Sequence, residues 1–384
     1  MPIPLRSVSP RATMMAVFAA FGGAVGALAG SMPAIMRNAG VDSETVGLGL
    51  TISTVMTVTA MSLGGHIARF ASNRAMLLGV IPAFAVLLFA YLTAQSALWF
   101  YMAIIPMGFA FGLTDVFMNA EASALEHDLR KPVFTAFHGC VSMGVAVMAV
   151  ASSFISTLLG TWATGLLAML CFAAAWTMVR ETVLLRPLAK GQSARIFSLP
   201  HKTPLVLLGL AAGIIIAAET AALLWSAKLL DELAPSLAAI AGLGAAFFGI
   251  CNAALRFPGD MLRSHFGDMP LMMVSIAVAA AGFAALGLTE SFASSVAAFA
   301  AVGLGTALLI PCVFAMAAAY VPANRAGGIA FVSLLTAVPR SSAPVVFGYV
   351  AASFGLASAF GLVAMALIVA LILIITLSRT GQGT

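Results

Sequence analysis

Charge is what this chain has least of. Asp, Glu, Lys and Arg make up 8% of its 384 residues, where an ordinary soluble domain carries roughly a quarter. With 62% hydrophobic residues, no water-facing surface can be assembled from it. Cysteine is scarce too: Cys140, Cys171, Cys251 and Cys312 fall singly in four apolar stretches and never at paired spacing. Small apolar packing is therefore expected of them, with no disulfide and no metal site. No Gly-x-x-x-x-Gly-Lys-Ser/Thr loop occurs, which excludes direct drive by ATP, and neither a Gly-x-Ser-x-Gly elbow nor a His-Glu-x-x-His helix is present. We expect no enzyme activity and no cofactor. A repeated arginine series of the voltage-sensor kind is also missing.

What is there is apolar length. Twelve spans are read at 12–35, 46–70, 75–94, 98–123, 133–159, 161–180, 204–229, 235–256, 270–288, 294–321, 326–352 and 356–378, each long enough for a helix to cross about 30 Å of hydrocarbon. The alternation of a membrane barrel strand is nowhere seen. The fold class expected is an all-α membrane protein of twelve transmembrane helices. Fifteen of the eighteen Lys and Arg residues fall in alternate gaps, so the positive-inside rule places both termini in the cytoplasm of a cell (inner) membrane. The net charge of +5 thus records topology, and no nucleic-acid partner is expected of it. Two arginines precede the first span, yet its apolar core is longer than the 7–15 residues of a signal peptide; it is read as a mature helix.

The longest break in the apolar pattern, 181–203, divides the chain into an N-terminal six-helix bundle (1–180) and a C-terminal one (204–384). A weak repeat supports two equivalent halves. Gly65-His-Ile-Ala-Arg69 closes the second span as Gly259-Asp-Met-Leu-Arg263 follows the eighth, and Gly108 to Phe117 in the fourth span matches Gly305 to Phe314 in the tenth. Parallel halves holding a ligand between them are common among secondary transporters.

With these features the chain resembles the major facilitator superfamily over its whole length. That family's loop signature, Gly-x-x-x-Asp-Arg-x-Gly-x-Arg-Arg, is met here by Gly64-Gly-His-Ile-Ala68-Arg69-Phe-Ala71-Ser-Asn73-Arg74. Ala68 stands at the acidic position, so the charge cluster that latches this loop is reduced. The second half keeps acids, in Arg256-Phe-Pro-Gly259-Asp260-Met-Leu-Arg263-Ser-His-Phe-Gly267-Asp268, and the better latch is expected there. Gly112-Leu-Thr-Asp115-Val-Phe-Met-Asn119-Ala-Glu121, Arg130-Lys-Pro132, Phe137-His138-Gly139 and Glu219-x-Ala-x-x-x-Trp225-Ser226 are similar to the YbjJ/MosC-like branch. The resemblance implies a small polyhydroxylated or amine-bearing solute.

Ionisable groups inside a bilayer are costly and normally face a partner or an aqueous cavity. Glu219 in span seven and Arg340 in span eleven lie at similar depth. One reading makes them a structural ion pair; the other gives Glu219 a proton to bind and release while Arg340 grips an acidic or hydroxyl-rich substrate. Pro339 and Pro344 kink span eleven around Arg340. Gly108, Gly112, Asp115 and Asn119 share one helical face, where the glycines allow close helix approach and the polar pair serves either packing or proton and substrate binding. His138 is placed to meet Glu121 across a short hairpin, as a gate contact or a proton relay. Asn252 and Arg256 share a face of span eight, and Arg256 is counted with Arg69, Arg74, Asp260, Arg263 and Glu121 in the loop latch. Trp225 is read as an interface anchor or a substrate-stacking ring. The function expected is secondary active transport of a small polar, anionic or polyhydroxylated solute by alternating access, coupled to protons, in a monomer. The alternatives are proton-driven efflux of hydrophobic compounds, against which span five lacks a Gly-Pro pair, and a non-transporting receptor on the same fold.

Overall fold

The computed structural model describes residues 9–68, 70–129, 133–182 and 202–380. Among them thirteen α-helical segments follow one another: α1 (Pro10–Ala39), α2 (Ser43–Ile67), α3 (Asn73–Leu92), α4 (Ala97–Leu129), α5 (Phe134–Leu158), α6 (Thr161–Glu181), α7 (Lys202–Leu233), α8 (Leu243–Arg256), α9 (Gly259–Phe266), α10 (Asp268–Leu288), α11 (Phe292–Thr306), α12 (Leu309–Tyr320) and α13 (Arg325–Thr380). Short 3-10 turns occupy Pro235–Ile240 and Pro322–Asn324. Helix is the only open-chain structure that satisfies every backbone group within its own span, which is what a hydrocarbon surround demands. Polar caps mark the starts. Asp42 Oδ1 accepts from the Thr45 N–H at 2.8 Å, Ser72 Oγ from Ala75 at 3.2 Å and Asn324 Oδ1 from Gly327 at 3.0 Å.

Eleven helical stretches are long and apolar enough to cross a membrane, and the last, Gly327–Arg379, contains two crossings because Gly355 breaks α13 at φ 86°. Only glycine takes that conformation without strain. The spans therefore number twelve among the described residues, the number that the resemblance to the major facilitator superfamily implies. Two details depart from expectation. The tenth span, read as continuous over 294–321, is split into α11 and α12 at Ala307 and Leu308. Residues 259–266, read as loop, form the short helix α9, with Asp260 in its first turn and Arg263 and His265 in its last, signs that suit the helix dipole.

Two of the prolines leave a carbonyl for another helix to use. Proline cannot donate to the carbonyl four residues before it. Pro82 so frees the carbonyl of Leu78, which accepts from Trp176 Nε1 of α6 at 2.9 Å. Pro311 frees that of Ala307, which accepts from Arg256 Nε of α8 at 3.3 Å.

The chain folds as two compact units. One holds α1, α2 from Ile52 onward, α3 to α6 and Ala238–Gly242; the other holds Asp42–Thr51, α7, α8 from Leu243 and α9 to α13. In the first, α1 and α5 pack through Gly22, Gly26 and Gly30. A Cβ at these positions would come within 2.0 to 2.5 Å of the carbonyl oxygens of Val141, Val145 and Ala149. This small-xxx-small contact lets backbones touch where apolar side chains gain nothing over lipid. Large apolar side chains stay exposed along many helices, among them Leu98, Met102, Val147, Leu170, Val274 and Met365. So much outward apolar area suits a lipid surround.

Candidate functional site

In the unit built on α7 to α13, two helices bring polar groups to Glu219 of α7. Arg256 Nη2 of α8 lies 3.7 Å from Glu219 Oε1, with both side chains about one-fifth exposed. Asn252, one turn before Arg256, donates to Thr306 Oγ1 at 3.3 Å, and both Asn252 and Thr306 also act on the Glu219 carboxylate. Thr306 ends α11, so the break in the tenth span supplies both this hydroxyl and the Ala307 carbonyl that binds Arg256. Glu219 Oε1 itself is sealed from solvent and accepts no hydrogen bond among the described residues.

The cation paired with Glu219 is therefore Arg256, which the sequence assigned to the loop latch. Arg340 was matched to Glu219 by depth alone, and depth leaves the direction around the helix axis unspecified. Asn252 and Arg256, four residues apart, share a face as expected, and that face turns toward Glu219. Thr306 and the Ala307 carbonyl were missed in the sequence; Pro311 was the available signal.

A cavity of about 270 Å³ lies in the same unit. Its wall comes from α7 (Ile214, Ala217, Ala218, Thr220, Ala221, Trp225), from α13 on both sides of its break, and from Leu50. The α13 residues include Pro339, Ser342, Pro344, Phe347 and Leu362, so the side chains are apolar apart from Thr220 and Ser342. Trp225 is 1% exposed and its ring packs on Phe347 with centroids 5.0 Å apart. That corrects its reading as an interface anchor: the ring is buried against α13 and the cavity. At the kink, Val345 donates its N–H to Thr51 Oγ1 at 3.0 Å. Glu219 and Arg340 each adjoin wall residues, Ala218 and Thr220 in one case and Pro339 in the other. Arg340 is half-buried.

In the unit built on α1 to α6, Gly108 and Gly112 bring α4 against α2, as expected of them. A Cβ on either would stand 2.4 or 2.6 Å from the carbonyl oxygen of Ser53 or Thr57, and Thr57 Oγ1 donates to the Gly108 carbonyl at 2.9 Å. The half-buried Asn119 Nδ2 donates to Asp115 Oδ1 at 3.0 Å, while Asn119 Oδ1 is buried with no partner among the described residues. Glu121 accepts from Asn73 Nδ2 of α3 at 3.2 Å, and the His138 ring packs on Phe18 and Phe134. In the other unit the tenth span is turned relative to the expected repeat. Gly303 meets the Phe248 carbonyl of α8 as Gly108 meets α2, whereas Gly305 faces Ala279 of α10.

The chain is similar to the membrane protein MosC of Rhizobium meliloti, at 27% identity over 86% of this chain and 81% of that one. It is also similar to an uncharacterised MFS-type transporter of Yersinia pestis, at 25% identity over 88% of each. No family model matches it. Among solved structures, the nucleoside transporter NupG superposes with TM-score 0.79, covering 96% of this chain and all of that one at 14% identity. A bacterial homologue of the human lysosomal transporter Spinster gives 0.74 at 14% identity over 96% of each chain. The chain has the fold of the major facilitator transporters and is similar in sequence to one of the MFS type. The Yersinia pestis relative and both structural neighbours are transporters, not enzymes.

The two copies of the superfamily's loop signature differ in chemistry. In the first, Arg69 lies outside the described residues, as do Arg130 to Pro132, and Arg74 donates to the carbonyls of Val179 and Arg180 at the end of α6. In the second, Arg263 bridges two acids, Nε to Asp268 at 2.8 Å and Nη1 to Asp260 at 3.3 Å. The hydrogen bond to Asp268 pushes the Arg263 guanidinium further above its ordinary value, against a smaller opposing effect of burial.

Proposed function

We propose that this facilitator is a secondary active transporter that moves a small solute by alternating access, with Glu219 as its proton-coupling group. The observation carrying the reading is the bonding of Glu219: a carboxylate inside a span, one oxygen bare, its cation held at 3.7 Å and shared with the Ala307 carbonyl. A charge buried in that way is stable only while Arg256 remains beside it. When Glu219 takes a proton the attraction is lost, and Arg256 is free to turn its planar donors toward an acceptor-rich solute. When the proton leaves, the ion pair re-forms and competes the solute away. Discontinuous helices near the middle of a span are where carriers of this kind expose backbone groups to cargo, and the Thr306–Leu308 break fits that use. The relation to a nucleoside transporter and to a human organic anion transporter supports a polar or anionic cargo, and the resemblance to MosC a polyhydroxylated one.

A second reading is favoured by the cavity itself. Its wall of Trp225, Phe347, Leu362 and alanines would suit a hydrophobic compound exported against protons. Thermal shift across sugars, inositols, nucleosides, organic acids and lipophilic cations separates the two, because a ligand of the folded state raises its stability. With the responding solute, Glu219→Gln proteoliposomes are expected to lose accumulation driven by a pH gradient while keeping solute exchange. Accumulation equal to wild type would remove Glu219 from the coupling role.

A further inference from the structure

Glu121 and Asn73 form a second buried acid site, in the other unit from Glu219. Glu121 is 4% exposed and Asn73 2%. Asn73 Nδ2 donates to Glu121 Oε2 at 3.2 Å, and Asn73 Oδ1, closed off from solvent, has no partner among the described residues. A carboxylate buried on one neutral donor is poorly compensated, and a buried amide oxygen with nothing donating to it is a second cost. Turning the amide end for end does not help, since its oxygen would then face a carboxylate oxygen. One proton repairs both defects.

Among the described residues the surroundings supply no competing remedy. The superfamily signature places an arginine where this chain has Asn73, so a cation has given way to a neutral amide. Asp128, two turns further along the same helix, brings a second negative charge and no cation. Arg74, next along α3, is committed to the carbonyls of α6. Glu126 caps the start of α5 by accepting from the N–H groups of Val133 and Phe134. His138 of α5 lies in the aromatic contact with Phe18 and Phe134, and Arg11 of α1 and His66 of α2 are exposed. Ser72 already takes the free N–H of Ala75 at the α3 start.

We propose that Glu121 is carried as a neutral carboxylic acid closed on Asn73, a proton-binding site separate from Glu219. The proton comes from water onto one carboxylate oxygen. Its O–H then donates to Asn73 Oδ1 while Asn73 Nδ2–H donates to the other oxygen. Loss of that proton returns a carboxylate beside an amide carbonyl and Asp128, and the clasp between the α3 start and α4 opens. The site is thus a pH-sensitive fastening at the α2–α3 loop, and it does not depend on what the protein transports.

Infrared difference spectroscopy on purified protein in an ester-free detergent tests this. Wild type minus Glu121→Gln at neutral pH is expected to show a carboxylic-acid carbonyl band that vanishes as pH is raised. In Asn73→Arg, which restores the cation and keeps the acid, the band is expected to vanish at least about one pH unit lower. The melting temperature of wild type should fall over the same titration, and that of Glu121→Gln should not. The proposal is overturned if wild type and Glu121→Gln match in the acid-carbonyl region at neutral pH. It is equally overturned if Asn73→Arg titrates where wild type does; this comparison stands without Glu121→Gln should that variant not fold. A hydrogen bond of purely structural value would leave both the band and the pH slope absent.

Discussion

Two carboxylates with opposite surroundings show what single residues contribute to this molecule. Asp42 sits in water ahead of α2 and spends its charge on a helix start, where the Thr45 N–H holds its carboxyl below the ordinary value for aspartate. A group whose folded value is depressed contributes stability at pH above its unfolded value, about 3.9, and loses it as pH falls through the folded one. Asp42→Ala should therefore cost about 1 kcal/mol at neutral pH, the usual worth of a cap. Melting curves for variant and wild type should converge as pH falls below that unfolded value; a gap that stays constant on acidification would show that the charge is irrelevant. Glu219 instead lies inside a span with one oxygen sealed from solvent, so its charge depends on its partner. Its isolation in an apolar run was legible in the sequence. Its partner was not, because Arg256 and Arg340 both lie within reach along the chain and only the rotation of each helix about its axis separates them.

At the scale of elements, proline and glycine carry the information that hydropathy lacks. Hydropathy located every span, yet in a chain this apolar it cannot say which face of a helix meets protein. The Gly22, Gly26 and Gly30 row answers that for α1, and Gly108 with Gly112 for α4; the second row was read as a contact face, the first was passed over because its neighbours are equally apolar. The freed carbonyls answer it more sharply. Trp176 donates to Leu78 only because Pro82 leaves that oxygen open. Trp176→Phe keeps a ring beneath Arg180 but leaves the oxygen unmet, at a cost of about 1–3 kcal/mol. In a Pro82→Ala background, residue 82 can donate to Leu78, and the same change should cost less than about 1 kcal/mol. A double-mutant cycle on unfolding in mixed micelles measures the difference. Equal costs in both backgrounds would mean that proline and tryptophan act independently.

For the whole molecule the governing quantity is where the charges fall between the spans. Twelve crossings, an even number, return the chain to the side on which it began, so the N-terminus, the 181–203 segment and the C-terminus must share one compartment. Fifteen of the eighteen basic residues lie in gaps on that side, and retention of Lys and Arg near span ends orients such proteins toward the cytoplasm. The count of crossings was less legible than the charge, because Gly355 alone separates the last two within one run of helix, and α11 and α12 divide a single crossing. Both ambiguities change the parity if misread. A fluorescent reporter fused after Ser378 should therefore mature in the cytoplasm, and a periplasmic phosphatase fused there should stay inactive. The same phosphatase placed after Asp231, beyond the seventh span, should be active. Activity at Ser378 would mean an odd number of crossings or an inverted chain.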